Sequence, residues 1–211
     1  KELIKNNFEY ESIFVTEELQ SQFPTSTLCS SKEIGRISHL KNPSNVIAIC
    51  KIPTYQINSQ DKKPLIFLDN VNDPGNLGTI VRTLDWFGYK QVFCSNNTVD
   101  CFNNKSVMAS MGSILRVNCH YIDFVDFQQI FPEHIAYSTS LNGENIDSVM
   151  LNDKSIIVIG NESNGVSKEI LKNINNTIRI PSYGKAESLN VSVATGIILN
   201  EMEKKSPLKS K

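Results

Sequence analysis

The chain has 211 residues, of which 40% are hydrophobic, and its formal net charge is −1 at pH 7. This is enough for one large domain, or for one domain with a small partner, and enough to bury a full core. The near-neutral charge argues against a protein that binds nucleic acid over its whole surface, and no apolar run approaches the roughly 20 residues of a membrane span.

The first 52 residues alternate short strand-like and helix-like segments. We predict strands at 12–15 and 46–50, a helical turn at 16–19 and a helix at 31–40. Thr16 is expected to cap the turn, because its hydroxyl can accept from the first free N–H groups. The chain begins without Met, in a charged segment that lacks a signal-peptide core, so we expect a trimmed form of a longer chain. Residues 53–64 are polar without apolar periodicity and are predicted to be a linker that follows this small α/β unit.

From residue 65 onwards the pattern is a regular alternation. Continuous apolar runs predict strands that are covered on both faces, and the segments between them predict helices. The predicted strands are 65–68, 92–94, 116–121, 135–138, 155–159 and 177–180, and the predicted helices are 76–87, 104–114, 124–131, 167–173 and 190–204. The predicted fold class is therefore α/β, with a mostly parallel sheet and helices on both of its faces. In such sheets ligands bind beyond the carboxyl ends of the strands.

The first segment of chemical interest follows the strand at 65–68. An Asp-Pro-Gly turn leads to Asn76, which can cap the next helix, and Gly88 is placed to end it. Gly78 in the first turn costs about 1 kcal/mol relative to Ala, so either a close approach to the backbone or helix–sheet packing must account for it. One face of the helix carries the apolar residues Leu77, Ile80, Val81 and Leu84, and another face carries Thr79, Arg82 and Trp86.

The second segment runs from Ile159 to Ser167. A buried strand ends in a loop between Gly160 and Gly165 that carries one carboxylate, Glu162. The loop lacks the Lys-Ser/Thr that follows the glycines of a phosphate-binding loop, and it lacks the spaced glycines of a dinucleotide fingerprint. Glu162 can accept hydrogen bonds from a polar ligand, or it can cap the helix that begins near Ser167.

The third segment runs from residue 180 to residue 194. A strand ends in Ile-Pro, a polar turn passes through Glu187-Ser188-Leu189-Asn190, and an apolar helix begins. A tight loop with many hydrogen-bonding groups, between a buried strand and a buried helix, is suited to hold a small polar ligand. A helix that is apolar over a wide arc is expected to be buried, in part against a second subunit. Its two apolar stripes are Val191, Ala194, Ile198 and Val193, Ile197.

Together the three segments resemble the SpoU–TrmH family of RNA 2′-O-ribose methyltransferases, in the SPOUT superfamily. The residues that match the first family motif, Asn-x-Gly-x-x-x-Arg, are Asn76, Gly78 and Arg82. Those that match the second, Gly-x-Glu-x-x-Gly, are Gly160, Glu162 and Gly165. Those that match the third, Ile-Pro followed by Gly and Ser-Leu-Asn-Val-Ser-x-Ala, are Ile180, Pro181, Gly184 and 188–194. The resemblance covers about 65–204, and residues 1–52 resemble the family's ribosomal-protein-L30-like RNA-binding domain without its first part.

The resemblance implies properties that the spacing of residues does not show. A catalytic domain at 65–211 would carry a trefoil knot at its C-terminal end, and S-adenosylmethionine would bind in the knot loops. The residues implied at the cofactor are Gly160, Ile180 and Leu189, through main-chain groups, with Gly165 and Ser188 beside them. The family also works as a homodimer, and the last helix, 190–204, would form much of the interface.

The implied reaction is methyl transfer from a sulfonium to a ribose 2′-OH, a weak acid that needs a base or a strong polariser. By analogy Arg82 activates the hydroxyl. A guanidinium is effectively always protonated, so an alternative role is to bind the adjoining phosphate and stabilise the developing oxyanion. Asn76 would orient Arg82 or the substrate, and Glu162 would hold the site together. Ser188 and Asn190 would place cofactor and ribose.

Two other functions are alternatives to an RNA methyltransferase. An RNA-binding protein with a non-catalytic methyltransferase fold predicts a broken motif, whereas every key position here is filled. A dehydrogenase needs a Gly-rich turn after the first strand and an acid about 20 residues later, and the Asp-Pro-Gly turn is not that sequence. For the substrate, the L30-like leader favours structured rRNA over tRNA, by analogy alone.

The remaining composition indicates a reducing compartment. The five cysteines are odd in number and contain no Cys-x-x-Cys, so neither a disulfide framework nor a zinc site is expected, and a cytoplasmic protein fits. The chain ends in a lysine-rich tail that is either a local RNA contact or a solvated end. Its lysines are Lys204, Lys205, Lys209 and Lys211.

Overall fold

In the computed structural model, which describes residues 2–6 and 8–205, the chain forms two compact units, 1–54 and 55–211. The segment predicted as a linker, 53–64, contains no helix or strand. Most of it belongs to the second unit, because the Asn58 N–H donates to Gln91 Oε1 over 3.0 Å and Gln91 Nε2 donates to the Asn58 carbonyl over 2.8 Å.

The first unit is built on a three-stranded sheet of β1 (Tyr10–Val15), β2 (Thr27–Leu28) and β3 (Val46–Cys50), in the order β2-β1-β3. Strand β1 runs parallel to β2 and antiparallel to β3. Helix α1 (Glu2–Lys5) precedes the sheet. Helix α2 (Ser31–Ile37) ends three residues before the predicted position. It begins with a capping box, in which the Ser30 hydroxyl accepts from the Glu33 N–H and the Glu33 carboxylate accepts from the Ser30 N–H.

The helical turn predicted after β1 is a 3₁₀ helix, Glu17–Gln22, and the expected cap by Thr16 is wrong. Thr16 has the extended backbone of a cap residue, but its hydroxyl is buried without a hydrogen-bond partner among the described residues. The side chain packs inward with the small core of the unit, so it does not reach the free N–H groups.

The second unit is built on a six-stranded sheet in which every neighbouring pair runs parallel. Its order is β6-β5-β4-β8-β7-β9. The strands are β4 (Leu65–Leu68), β5 (Gln91–Cys94), β6 (Asn118–Tyr121), β7 (Ile135–Asn145), β8 (Ser155–Ile159) and β9 (Asn176–Arg179). Strand β7 continues seven residues past its predicted end, because its chain bulges after Thr139 and pairs with β9 again at Glu144.

Helices follow the strands as the alternation predicts, and none of those in the described residues is long and apolar enough to cross a membrane. They are α3 (Pro74–Trp86), α4 (Asn104–Ser110), α5 (Phe124–Ile130), α6 (Lys168–Leu171) and α7 (Val191–Lys205). Helix α4 ends four residues early, because Met111 and Gly112 both take left-handed backbone angles, with φ of 51° and 90°. A separate 3₁₀ turn, Ser113–Leu115, follows it.

The sheet is covered on both faces, as the continuous apolar strands predict. Alternate residues of β4 enter different cores: Ile66 and Leu68 pack with α3 and α7, whereas Leu65 and Phe67 pack with α5 and α6. Strand β8 divides its side chains in the same way. The prediction of an α/β fold with a mostly parallel sheet is confirmed.

The strand order creates one crevice of functional interest. Strands β4 and β8 are neighbours, but α3 follows β4 onto one face of the sheet and α6 follows β8 onto the other. The loops that leave the two carboxyl ends therefore separate, and a crevice of this kind is where parallel α/β sheets bind ligands. The first and second motif segments both begin at these two strand ends.

Gly78 is explained by helix–helix contact. A Cβ atom on Gly78 would lie 2.3 Å from the Ser106 carbonyl oxygen and 2.7 Å from the Ala109 side chain, so α4 lies directly against the backbone of α3. The close approach thus comes from within the chain. Neither a ligand nor the sheet is needed to account for this glycine.

We predict that Gly78→Ala lowers the free energy of unfolding by about 1–3 kcal/mol, because overpacking against a backbone oxygen outweighs the better helix propensity of Ala. Gly196→Ala is the matched control in α7, since its Cβ would lie 3.8 Å from the Thr83 methyl group. That variant should be neutral or stabilised by up to about 1 kcal/mol. Urea denaturation of both variants is the measurement, and equal stability of the two would contradict the packing argument.

Candidate functional site

The crevice is organised by a buried carboxylate, Asp69, directly after β4. Its side chain is 1% exposed, and its two oxygens accept from Asn70 Nδ2 and from the Ser167 N–H, each over 2.7 Å. Burial of a carboxylate is costly unless it is hydrogen-bonded, and here both oxygens are satisfied. Asp69 therefore ties the end of β4 to the start of α6. The interpretation in which Glu162 caps this helix is wrong, because the Glu162 carboxylate accepts from Asn76 and no described side chain caps the start of α6.

The loop after β8 is held by Asn161 and closes tightly on itself. Asn161 Nδ2 donates to the Asn70 carbonyl over 2.8 Å, and Asn161 Oδ1 accepts from the N–H groups of the next turn. Asn161 and Gly165 also exchange two main-chain hydrogen bonds. A Cβ on Gly160 would lie 2.1 Å from the Gly165 carbonyl carbon, and Gly165 itself has φ +66°. Both motif glycines are thus required by the shape of the loop.

One hydrogen-bonded series joins the three motif segments, and we call it the Asn76 bridge: Glu162, Asn76 and Asn190. Asn76 Nδ2 donates to Glu162 Oε1 over 2.7 Å, and Asn76 Oδ1 accepts from Asn190 Nδ2 over 3.0 Å. Each motif contributes one residue. An amide suits the central position because it carries a donor and an acceptor on one short side chain.

Asn190 has a second role that the sequence did not reveal. Its Oδ1 accepts from the Ser192 N–H over 3.0 Å, from the Ser192 hydroxyl over 2.6 Å and from the Val193 N–H over 3.4 Å. Asn190 therefore caps α7 with its oxygen and binds Asn76 with its nitrogen. The start of the last helix is fixed to the site by a single side chain.

The expected cap of α3 by Asn76 is wrong. The cap is Asp73, whose carboxylate accepts from the Asn76 N–H over 2.8 Å. Because Asp73 satisfies that main-chain group, the Asn76 side chain is released to face Glu162 and Asn190. Pro74 then occupies the first helical position, where its missing N–H costs nothing.

The third motif forms an open loop. All residues from 182 to 190 are exposed, and the main-chain N–H groups of 182–189 donate to no residue in the described part of the chain. Ile180, where the loop begins, is half-buried against the core that contains α3 and α7. Ser188 forms no hydrogen bond within 2–6 and 8–205, and Leu189 is exposed. The loop offers a row of free donors beside the Asn76 bridge.

Arg82 lies outside the Asn76 bridge. It is on α3, six residues beyond Asn76, and its guanidinium is exposed. It makes no hydrogen bond or ion pair with any described residue. An arginine that is held by nothing within its own chain is free to bind an anion from outside it.

A cleft of about 510 Å³ opens on the other side of Asp69, between β4, β5, α5 and α6. Carboxyl groups line much of it, and they are Asp69, Asp123, Asp126 and Glu169. Amide side chains such as Asn96 and Asn173 complete the wall. None of the residues predicted for the site lies there. A polyanion would be repelled from this cleft and favoured on the side of α3.

The described lysines of the tail have partners within the chain. Lys204 Nζ lies 2.6 Å from Glu201 Oε1, and Lys205 Nζ donates to the carbonyls of Ile146 and Val149. Lys209 and Lys211 lie outside the described residues, so the tail as a whole stays a prediction.

Three further residues of the site, Asp69, Asn161 and Asp73, were not predicted from the sequence. Each carried a signal that could have found it, because each is an Asp or Asn at a strand end or just before a helix, where short polar side chains bind nearby main-chain groups. All three bind groups of their own chain, so a pattern that indicates ligand-binding residues does not include them.

Comparison with known proteins agrees with this geometry. Residues 63–200 match the model of the SpoU rRNA Methylase family. The 23S rRNA (guanosine(2553)-2′-O)-methyltransferase RlmP of Bacillus subtilis (strain 168) is 29% identical, over 94% of this chain and 83% of its own length.

Two solved structures are similar over nearly the whole chain. A TrmH-family protein from Porphyromonas gingivalis is 30% identical with a TM-score of 0.85, and the match covers 97% of this chain and 86% of that one. An AdoMet-bound rRNA methyltransferase from Sinorhizobium meliloti is 27% identical with a TM-score of 0.85, covering 96% and 83%. With its three motifs joined at one crevice and the family model matched over most of its length, the chain belongs to the SpoU rRNA Methylase family.

Proposed function

We propose that the chain is an S-adenosylmethionine-dependent methyltransferase that methylates a ribose 2′-OH in structured RNA, with rRNA favoured over tRNA. The observation that carries the proposal is the Asn76 bridge. It joins one residue of each motif, in the first turn of α3, in the loop after β8 and at the start of α7. A fold that had lost catalysis would have no need to keep this arrangement intact. The Bacillus subtilis relative, whose name describes 2′-O-methylation of an rRNA guanosine, supports the same reaction and the same class of RNA.

The site fits S-adenosylmethionine, which is bound in the related structure from Sinorhizobium meliloti. The free main-chain donors of 182–189 can bind its polar groups, and the loop at Gly160 has no room for a side chain of its own. We assign the cofactor to Gly160, Gly165, Ile180 and Leu189, with Ser188 beside them. When bound, the cofactor supplies an electrophilic methyl group on a sulfonium, and the work of the protein is to orient the hydroxyl that receives it.

The catalytic roles follow from where the structure puts the side chains. Arg82 binds the phosphate that adjoins the target ribose and stabilises the negative charge that develops on the 2′ oxygen as this oxygen attacks the methyl group and its proton passes to water. Asn76 and Glu162 keep the start of α3 in position, and Asn190 does the same for the start of α7. Ser188 carries a free hydroxyl in the loop and contacts cofactor or ribose.

We further propose that two copies associate through α7, and that the C-terminal region forms the family's trefoil knot. The stripe of α7 that includes Val191 and Ile198 is buried in the core, whereas Val193 of the second stripe is 51% exposed and Ile197 is half-buried. An apolar stripe that is left outward on a buried helix is suited to a second subunit. Gly143, in the bulge of β7, lies so close to Ile178 of the neighbouring strand β9 that a Cβ would be 2.6 Å from its main chain, and close packing of the C-terminal strands supports the knot proposal.

The domain organisation stays a proposal in its finer form. We propose an L30-like RNA-binding domain at 1–52, a connecting segment at 53–64 and the methyltransferase domain at 65–211, in a cytoplasmic protein. The mixed sheet and capped helix of the first unit support a small α/β domain of this kind.

The test of the function is to map 2′-O-methylated nucleotides in rRNA and tRNA from cells with and without this protein. Loss of one methyl group from rRNA is expected, and its loss from tRNA would replace the rRNA assignment. Calorimetry with the purified protein adds an independent arm. Binding of NAD without binding of S-adenosylmethionine would favour a dehydrogenase and overturn the proposal.

We predict that Arg82→Ala lowers kcat by at least about 100-fold, because an oxyanion stabiliser is lost. The Kd for S-adenosylmethionine should stay within about twofold. The free energy of unfolding should change little, because Arg82 has no partner among the described residues. Methyl transfer to rRNA and calorimetry measure the two effects. Arg82→Lys, which keeps the charge but loses the planar fork, should be intermediate. Normal turnover of Arg82→Ala would remove Arg82 from the mechanism.

We predict that Glu162→Ala lowers kcat/KM about 10–100-fold, because a hydrogen bond to a charged group contributes about 1.5–3 kcal/mol. Glu162→Gln should stay within about fivefold of the original enzyme, because a side-chain oxygen still accepts from Asn76. Asn76→Ala should resemble Glu162→Ala, and the double variant should be little worse than either, since both break the same bridge. If Glu162→Gln is as inactive as Glu162→Ala, the carboxylate charge itself takes part and the positioning role is wrong.

A further inference from the structure

Trp86 is the single tryptophan of the sequence, and it lies at the end of α3 with its side chain 85% exposed. Its neighbours Leu84 and Tyr89 are fully buried, so this segment of chain has access to the core and Trp86 does not use it. An indole buries more apolar area than most side chains when it finds a partner. The exposure of this indole therefore indicates a binding role.

Trp86 shares a helix face with Arg82. Residues four apart on an α-helix are neighbours with Cβ atoms about 5–6 Å from each other. The Cα–Cβ bond of a helical residue tilts towards the helix N-terminus, so the indole leans back over the turn that carries the guanidinium. The two exposed side chains form one surface. Helix α3 is held rigidly, by α4 at Gly78 and by α7 on another side.

The charges around Trp86 are mostly positive. Beside it, Asp85 accepts from Arg116 Nε over 2.9 Å and from the Ser113 hydroxyl over 2.8 Å. Burial acts to raise the pKa of Asp85, but these hydrogen bonds and the charges of Arg116 and Lys90 hold it below its ordinary value. Because Arg116 is paired with Asp85, the exposed cations near Trp86 in the chain are Arg82, on the same helix face, and Lys90.

We propose that Trp86 is a stacking platform for an unpaired nucleobase of the RNA substrate, and that it positions the nucleotide next to the ribose that Arg82 engages. The inference rests on the proposed function and deepens it. Proteins that bind single-stranded RNA segments combine an aromatic face with a positively charged surface, and α3 offers both within one helical turn. Trp86 is in this sense a positioning residue, because it contacts the neighbouring nucleotide and none of the reacting atoms.

The same observations disfavour a second copy of the chain as the partner of Trp86. The centre of a protein–protein interface is depleted in charged residues, whereas Arg82 shares this face of α3 with Trp86 and its burial without a partner would be costly. The acidic cleft beyond Asp69 also directs a polyanion towards α3. Nucleic acid provides a partner for both the ring and the charges, because its bases can stack on the indole and its phosphates can bind the cations.

Fluorescence offers a direct test, because Trp86 is the single tryptophan of the sequence and its indole can be excited selectively over the six tyrosines. The probe is rRNA extracted from cells that lack the protein, with a short single-stranded oligonucleotide as a second probe. We expect quenching that saturates with rRNA and weakens as salt is raised, since cations contribute to binding. Unchanged emission at an rRNA concentration that saturates methylation would overturn the platform.

Three variants separate stacking from structure. Trp86→Ala should raise the KM for rRNA on the order of tenfold, with kcat and the Kd for S-adenosylmethionine within about twofold. Trp86→Phe keeps an aromatic face and should recover most of the loss. Met150→Ala removes another exposed apolar side chain, 76% exposed before β8, and should leave the KM unchanged.

Light scattering of the same samples identifies the rival outcome. If Trp86→Ala converts a dimer into monomers, Trp86 is a subunit contact and the proposal is wrong. If it leaves the KM for rRNA unchanged in an active enzyme, the platform is wrong while the methyltransferase function stands. If the original protein methylates neither rRNA nor tRNA, the function fails, and saturable quenching by rRNA would still support the platform as an RNA contact.

Discussion

The site depends on the one amide of Asn76. Its nitrogen donates to Glu162 and its oxygen accepts from Asn190, partners that are 86 and 114 residues away in the sequence. The amide of asparagine carries its donor and its acceptor on two separate atoms of one planar group, and glutamine would be a methylene too long for the same two distances. The loops after β4, β8 and β9 are therefore held together by a single short side chain. Because its contacts are so distant in sequence, the site can form only after the sheet has assembled.

The supporting side chains free the functional ones. Asp73 caps α3, Asp69 holds the start of α6, and Asn161 holds the loop after β8. Each satisfies main-chain groups that would otherwise compete for Asn76 or Glu162. Asn190 does both kinds of work, since its oxygen caps α7 and its nitrogen reaches Asn76. The division is physical: short side chains fix main chain locally, and the bridge then joins loops over long distances.

This division also explains how far the sequence could predict the structure. Period-two burial and continuous apolar runs located β4, β5 and β8 to within a residue, because each strand must fill two cores at once. The early end of α4 was missed because two successive left-handed residues, Met111 and Gly112, are not visible in hydrophobic periodicity. The capping role of Asn76 was mispredicted because Asp73, three residues earlier, competes for the same N–H group. The partner of Gly78 could not be read either, since it depends on the placement of α4.

The candidate residues were predicted from a family resemblance. The structure then separates those that bind one another, such as Asn76 and Glu162, from Arg82, which has no partner among the described residues. Spacing alone did not bring Glu162 near Asn76, because that contact follows from β4 and β8 being neighbours although about 90 residues separate them. The near-neutral net charge argues against binding over the whole surface, yet the charges are placed unevenly, with carboxylates in the cleft beyond Asp69 and the exposed cations Arg82 and Lys90 on α3 and just after it. A polyanion that approaches such a surface is turned towards the cations before any specific contact forms. A chain with a net charge of −1 can therefore direct RNA to one side of its crevice through the distribution of its charges, and strong overall basicity is not required.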